Sequence, residues 1–213
     1  MTDRYDASGN SEGQYQPGSS NQVLLNKLGI INPEEMDEIE LGLLDELTSV
    51  LLDDIEVDQR ISAADLCEWH RRWLGNVFSW AGQYRSVNMA KGNFQFATAH
   101  LIPQLMQTFE EKFLYAYTPC EDIDDEQLVE ALANVHLEFI LIHPFREGNG
   151  RLGRLLATIM ALQAGRPPLD YTYLTEHKNE YIQAIHAGLD NIEPMKALFR
   201  RVLQQSVLKS GDG

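Results

Sequence analysis

The segment His143–Arg154 reads HPFREGNGRLGR. Its twelve residues include one histidine, one carboxylate, three glycines and three arginines, although the whole chain has a formal net charge of −15. Because Pro144 disfavours helical backbone at the residue before it, the sequence predicts that one helix ends at the histidine. A second helix is predicted to begin near Asn149. The segment is therefore expected to be a glycine-rich turn that joins two helices.

The sequence around this turn predicts a mainly helical protein. Apolar residues recur upstream with helical spacing, at Leu128, Leu132, Val135, Phe139 and Ile142, which indicates a buried helix over residues 124–142. Downstream, a helix is predicted over 149–165, with Gly165 as its cap. Further helices are predicted over a short segment within 13–30, and over 33–54 (capped by Asn32), 63–78, 100–117, 176–188 (capped by Thr175) and 194–208. A single β-hairpin is predicted from residues 83–89 and 94–98 around a turn at 90–93. The fold class is all-α, a helical bundle with one small β-hairpin.

Composition limits the classes of protein to which the chain can belong. Its 213 residues fit one domain, which we place at 17–205, between a flexible polar tail at 1–16 and a flexible C-terminal end at 206–213. No apolar run is long enough to span a bilayer, and the N-terminus lacks the pattern of a signal peptide. Two cysteines do not form a disulfide framework, so a cytoplasmic location is expected. The negative charge argues against direct binding to nucleic acid or to a membrane surface.

The turn has the parts of a phosphate site. Arg151 and Arg154 are three residues apart, so they share one side of the first turn of the predicted helix. Backbone N–H groups lack partners in that turn, and the helix dipole is positive there. Gly148 and Gly150 allow close approach of a ligand to the backbone. This combination predicts an anion site that suits a di- or triphosphate.

Glu147 and His143 add chemistry to the predicted phosphate site. A lone carboxylate beside phosphates is consistent with Mg²⁺, which is held by one or two carboxylates together with phosphate oxygens. His143 is the one nearby side chain that can accept a proton near neutral pH, although a helix C-terminus favours a charged imidazole. Each feature alone has an ordinary structural explanation. Their order within twelve residues indicates transfer of a phosphorus group to a hydroxyl.

These residues resemble a known family. The segment is similar to the Fic signature, H-x-F-x-[D/E]-G-N-G-R-x-x-R, with every defining position filled. The likeness extends from about Tyr15 to Leu203, and it includes YQPGSSNQVLLNKLGI, WAGQYRSVN and KGNFQF. The resemblance implies a Fic-type helical fold and protein adenylylation, in which AMP from ATP is joined to a Tyr, Thr or Ser hydroxyl of a target protein. Phosphocholine transfer, removal of AMP and a non-catalytic nucleotide-binding adaptor remain as alternatives.

The resemblance also implies a role for each residue of the site. His143 would be the general base, and Glu147 would hold Mg²⁺. The ATP phosphates would be bound by Gly148, Asn149, Gly150, Arg151 and Arg154. Asn179 and Tyr181 would contact adenine. The hairpin would be a flap that binds the target backbone as an added strand, comprising Lys91, Gly92, Asn93, Phe94, Gln95 and Phe96.

Regulation is predicted from a second family pattern. Many members silence themselves with a [S/T]-x-x-x-E-[G/N] helix whose glutamate pairs with the second arginine of the signature. Thr172 and Glu176 are followed by His177, and Ser49 is followed four residues later by Asp53, so neither segment completes the pattern. We therefore expect a toxin-like enzyme that is restrained by a separate small antitoxin protein. The resemblance implies DNA gyrase or topoisomerase IV as the candidate target.

Overall fold

The computed structural model describes residues 11–54, 56–92 and 94–211. Within them the chain is helical apart from one two-stranded antiparallel hairpin, which confirms the predicted fold class. The α-helices are α1 (Pro33–Asp54), α2 (Ala63–Leu74), α3 (Ile102–Phe109), α4 (Tyr115–Tyr117), α5 (Asp125–Ile142), α6 (Asn149–Gln163), α7 (Thr172–Glu176), α8 (Lys178–Ala187) and α9 (Glu193–Gly211). A π-helical segment, Glu110–Leu114, lies between α3 and α4, and 3₁₀ turns occupy Ser11–Gly13 and Ala99–Leu101. Among the described residues, no helix has the length and hydropathy that crossing a membrane requires.

The described part of the chain forms two compact units. The first comprises residues 11–54, 63–92, 94–107 and 142–149. Its buried side chains include Trp73, Phe78 and Phe145. The second comprises residues 56–62, 108–141 and 150–211, and Phe139 and Phe199 are fully buried in it.

Capping residues account for the helix ends that the sequence predicted well. Asn32 accepts the backbone N–H of Glu34 at 2.8 Å, so α1 begins at Pro33. The five apolar positions predicted for α5 are all 2% exposed or less, and this helix ends at Ile142, directly before the residue that precedes Pro144. At the end of α6, Gly165 has φ +68°, the left-handed conformation of a C-terminal cap.

The hairpin is shorter than predicted, because side chains replace part of its ladder. Strands β1 (Ala90–Lys91) and β2 (Phe94–Gln95) pair alone, and Asn93 of the predicted flap lies outside the described residues. In the segment expected to be the first strand, the Arg85 guanidinium binds the carbonyls of Val87 and Ala97. The backbone groups before β1 are therefore bonded to side chains rather than to a second strand.

Other predicted boundaries differ from the structure. Thr175 is not a helix cap, because α7 already contains it and its hydroxyl donates to the carbonyl of Tyr171. The segment 14–30 has turns and a bridge between Tyr15 and Leu24 in place of the predicted short helix. Of the predicted tail, residues 1–10 lie outside the described residues, whereas Glu12 is buried. At the other end α9 continues to Gly211, beyond the predicted boundary at 205.

Candidate active site

His143 occupies the end of α5 in a strained backbone conformation. Its φ is +53°, in the left-handed region that a residue with a side chain rarely adopts. Arg85 holds it there, because the Arg85 Nε donates to the His143 carbonyl at 2.7 Å and the Arg85 backbone N–H donates to the Pro144 carbonyl at 2.8 Å. The guanidinium also puts a positive charge at the negative end of the helix. That charge offsets the helix-dipole preference for a charged imidazole.

The structure brings the His143 imidazole against the predicted flap. The ring of Phe96 stacks on the imidazole with a centroid separation of 3.8 Å and an interplanar angle of 20°. Phe94 meets Phe96 edge to face at 5.4 Å. Lys91 and Gln95 of the hairpin are exposed. The candidate base therefore lies directly beside a short pair of strands whose polar residues face solvent.

The loop after His143 is fixed by buried side chains. Phe145 is fully buried and stacks on the His70 ring at 4.1 Å and 7°. Asn149 is 2% exposed, and its side-chain amide accepts the Phe145 N–H at 2.8 Å and donates to the Phe145 carbonyl at 2.7 Å. This amide braces the loop, so the contribution of Asn149 to a phosphate site would come from its backbone.

Glu147 is held at the backbone by a buried histidine. The His70 Nδ1 accepts the Gly82 N–H at 2.8 Å, which leaves its Nε2 as the donor to the Glu147 carbonyl at 3.1 Å. The Glu147 carboxylate is half-buried and accepts the Gly148 N–H at 3.0 Å. The described residues contain no group of three or more side chains that could hold a metal ion by themselves. A metal at Glu147 would therefore depend on phosphate oxygens for its other ligands, an arrangement that fits Mg²⁺.

Helix α6 supplies the predicted phosphate-binding side chains. Gly150, Arg151 and Arg154 lie in its first two turns, and both arginines are half-buried. Within the described part of the chain, the Arg154 Nε is a buried donor without a hydrogen-bond acceptor. Leaving such a donor unsatisfied costs about 1–3 kcal/mol, so it marks a position suited to an anion.

Tyr171 restricts the side chain of Arg154. Its hydroxyl donates to the Arg154 carbonyl at 2.7 Å, and the guanidinium carbon lies 5.5 Å from the centre of its ring. Burial raises the pKa of Tyr171, so its hydroxyl remains a neutral donor. The sequence analysis did not single out this residue, because nothing near it in the sequence indicates the contact.

The two residues expected to contact adenine are not brought together. Asn179 and Tyr181 both lie on α8, where Asn179 is exposed. The Tyr181 hydroxyl lies 2.8 Å from the Nε2 of His136, which is 1% exposed. Burial raises the pKa of Tyr181 to about 12. The hydroxyl of Tyr181 thus has a structural partner.

The N-terminal segment contains a match to the inhibitory pattern that the two segments considered above do not complete. Ser8, Glu12 and Gly13 fit [S/T]-x-x-x-E-[G/N], although residues 8–10 lie outside the described residues. The Glu12 carboxylate accepts the Ser86 N–H at 2.9 Å, and the Glu12 carbonyl accepts the Arg146 Nε at 2.7 Å. The expectation of a separate antitoxin therefore loses its sequence argument, because the chain does contain the pattern.

Comparison with known proteins shows one consistent group of relatives. A family model described as the Fic/DOC family matches residues 60–161. A protein of Salmonella typhimurium named probable protein adenylyltransferase Fic is 30% identical over 190 residues, which are 86% of this chain and 89% of that protein. A probable protein adenylyltransferase of Sinorhizobium fredii is also 30% identical and covers 88% of this chain and 93% of its own. The adenylyltransferase fic-1 of Caenorhabditis briggsae is longer, and this chain spans 25% of it at 31% identity.

Solved structures show the same fold. The BepC protein of Bartonella tribocorum with bound AMPPNP has a TM-score of 0.72 and 23% identity, and the match covers 90% of this chain and 96% of that one. The N-terminal FIC domain of Bep8 from another Bartonella has a TM-score of 0.74 at 22% identity. The extent and identity of the match to the Salmonella relative, together with the complete signature from His143 to Arg154, establish that the chain belongs to the Fic/DOC family.

Proposed function

We propose that this protein is a protein adenylyltransferase, which transfers AMP from ATP to a hydroxyl of a target protein. One observation carries the proposal: the His143 imidazole stacks on Phe96 beside the hairpin. A base at this position adjoins a short strand whose outer edge could bind an extended peptide. The acceptor that the arrangement favours is therefore a protein side chain.

The proposed step follows from the positions of the residues. The neutral His143 imidazole accepts the proton of a Ser, Thr or Tyr hydroxyl, and the hydroxyl oxygen attacks the α-phosphorus of ATP. A new phosphorus–oxygen bond forms, and the bond from the α-phosphorus to the bridging oxygen breaks. Pyrophosphate leaves with the electron pair of that bond. Such base catalysis contributes typically about 10²–10⁴-fold to a rate.

The phosphates would be bound by the turn and by α6. Gly148 and Gly150 expose backbone N–H groups at the helix start, and the unsatisfied Arg154 Nε supplies a charged donor. Glu147 would hold Mg²⁺, which when bound neutralises charge on the phosphates. The nucleotide in the BepC structure and the ADP in a Bartonella quintana Fic domain support ATP as the co-substrate.

The names of the relatives support AMP rather than another transferred group, since several of them are called protein adenylyltransferases. A non-catalytic adaptor would not need an imidazole held beside the hairpin. Phosphocholine transfer and removal of AMP use similar parts, so the experiment below includes both.

The test uses the purified full chain, Mg²⁺ and a cell lysate. ATP labelled at the α-phosphate is expected to label a protein band, whereas ATP labelled at the γ-phosphate and CDP-choline are expected not to. His143→Ala should reduce labelling at least about a hundredfold, while His100→Ala, a change at an exposed histidine, should not. Label from the γ-phosphate or from choline, or loss of α-label from a premodified band, would replace the proposal with another transfer or with removal of AMP.

The restraint of the enzyme can be tested at Glu12. If a separate antitoxin restrains the enzyme, Glu12→Gln should leave labelling by the purified protein unchanged. Gln keeps an acceptor for the Ser86 N–H, which binds the carboxylate at 2.9 Å, so the fold is retained. A tenfold or greater rise in labelling would instead place the restraint within this chain. Purified DNA gyrase and topoisomerase IV are the first candidate acceptors for the same assay.

A further inference from the structure

Arg85 is a buried cation that binds several carbonyls of the first unit. It is 2% exposed. Its Nε donates to the His143 carbonyl at 2.7 Å, and one terminal nitrogen donates to the Val87 carbonyl at 2.6 Å. The other terminal nitrogen donates to the carbonyls of Ala97 at 2.6 Å and Ile142 at 3.2 Å. Four carbonyls from three separate stretches of chain therefore meet one planar group.

These carbonyls belong to two functional elements. Ile142 and His143 end α5 and begin the signature, whereas Val87 and Ala97 lie just before β1 and just after β2. Because the donors of a guanidinium have a fixed planar arrangement, they fix the relative positions of the groups that they bind. A lysine at this position would offer three donors on a rotating ammonium and could not reproduce the fork.

The contact between the elements lies one residue away from this fork. Phe96, which stacks on the His143 imidazole at 3.8 Å, is directly before Ala97 in the chain. We propose that Arg85 is a positioning residue that locks the His143 imidazole against the flap. The guanidinium holds the backbone at both sides of the stack, so the imidazole and the edge that would bind the target keep one relative position. The consequence for catalysis rests on the proposed function, whereas the coupling itself does not.

The coupling is tested by NMR on the full chain labelled at histidine. The face of the Phe96 ring should shift the His143 imidazole protons upfield, and His143→Ala identifies those signals. Phe96→Leu should move them to the range of the exposed His100. We expect Arg85→Lys to reproduce most of that move while the signals of the buried His70 and His136 stay in place. Arg72→Lys, at an exposed arginine of α2, is the matched control and should change none of these signals.

An unchanged His143 spectrum in folded Arg85→Lys would overturn the proposal. If the lysine variant does not fold, Arg85→Gln, which is neutral and keeps two donors, is measured in the same way. Failure of both variants to fold would also overturn the proposal, because Arg85 would then be required by the fold as a whole rather than for the position of one side chain.

Activity gives a second readout that separates positioning from general structure. Arg85 binds neither of the arginines proposed to hold phosphates in the contacts described above, so Arg85→Lys should keep the Kd for ATP within about twofold of the parent. Labelling of lysate protein should fall about tenfold to a hundredfold, since a displacement of about 1 Å of a catalytic group has effects of this size. Equal loss of ATP binding and labelling, with an unchanged His143 spectrum, would contradict the positioning role. If the parent labels no protein at all, the proposed function fails while the NMR result still decides the coupling.

Discussion

Gly148 lies where two constraints on the backbone coincide. Its φ is +81°, and a Cβ added to it would lie 2.5 Å from a ring carbon of Trp73, which is fully buried. Gly148→Ala should therefore lower the free energy of unfolding by about 2–4 kcal/mol, because left-handed strain and overpacking add. Urea denaturation measures this. Gly42→Ala in α1, where a Cβ would meet nothing within 4 Å, should instead stabilise by about 0.5–1 kcal/mol. Equal effects at both positions would contradict the assignment.

Arg154 should contribute to ATP binding more than to stability. Its Nε is buried without an acceptor among the described residues, so Arg154→Met removes a donor that the ligand-free protein does not satisfy. A hydrogen bond to a charged group contributes about 1.5–3 kcal/mol, so the Kd for ATP should rise roughly tenfold to 150-fold. Calorimetric titration with Mg²⁺ and ATP measures it. The control is Arg200→Met, because Arg200 pairs with Glu126 on the surface at 2.6 Å. An unchanged Kd in the Arg154 variant would remove it from the phosphate site.

The sequence indicated which residues carry the chemistry but not the residues that hold them in place. The signature order was visible because its members are neighbours in the chain. Arg85 and Tyr171 act on His143 and Arg154 from 58 and 17 residues away, and a single arginine or tyrosine at such a separation has no distinguishing pattern. Glu12 was also visible in the sequence, although its bond to Ser86, 74 residues away, was not.

The hairpin offers one outward N–H on each strand. Lys91 pairs with Phe94 and Ala90 with Gln95, and the Phe96 N–H donates to the Met89 carbonyl at 3.1 Å. Hydrogen-bonded and non-bonded pairs alternate along an antiparallel ladder. The pair Ala90–Gln95 is therefore non-bonded, and its N–H groups point to the two free edges.

A target strand added to the flap would use one of these edges. Ala90→Pro and Gln95→Pro each remove one outward N–H without breaking a ladder bond. One of the two should lower protein labelling at least tenfold, while both should leave ATP binding unchanged. Gln95→Ala, which keeps the N–H of an exposed residue, is the control for the loss of the side chain. Full labelling by both proline variants would exclude strand addition at the flap.

Helix boundaries were predictable where a local signal ends the helix, and not elsewhere. Asn32 and Pro33 fix the start of α1, and Pro144 fixes the end of α5, because capping and proline geometry act within a few residues. The hairpin was predicted too long, since alternation in residues 83–89 resembles a strand. The bonds that prevent pairing there come from the Arg85 side chain to distant carbonyls.

The charge of the whole molecule affects how its stability responds to acid. With 32 acidic and 17 basic residues, the chain repels itself near neutral pH. Lowering the pH protonates carboxylates and relieves that repulsion, which favours the folded state. A buried histidine acts in the opposite direction, so the total profile alone cannot reveal its contribution. The comparison of a variant with the parent isolates it.

His136 is that histidine. Burial lowers its pKa from 6.5 to about 4, and the positive charge of Arg154 acts in the same direction. The unfolded chain therefore binds a proton that the folded chain refuses between about pH 6.5 and pH 4, so stability is lost as the pH falls through this window. From pH 7 to about pH 5 the loss should be about 2 kcal/mol. His136→Gln cannot take up that proton and keeps a polar partner for the Tyr181 hydroxyl, which lies 2.8 Å from the imidazole. Urea unfolding at the two pH values should show that the parent loses about 2 kcal/mol more than the variant, whereas His100→Gln, at an exposed histidine, should follow the parent. Parallel profiles for parent and His136→Gln would mean that His136 is solvated or charged in the folded protein.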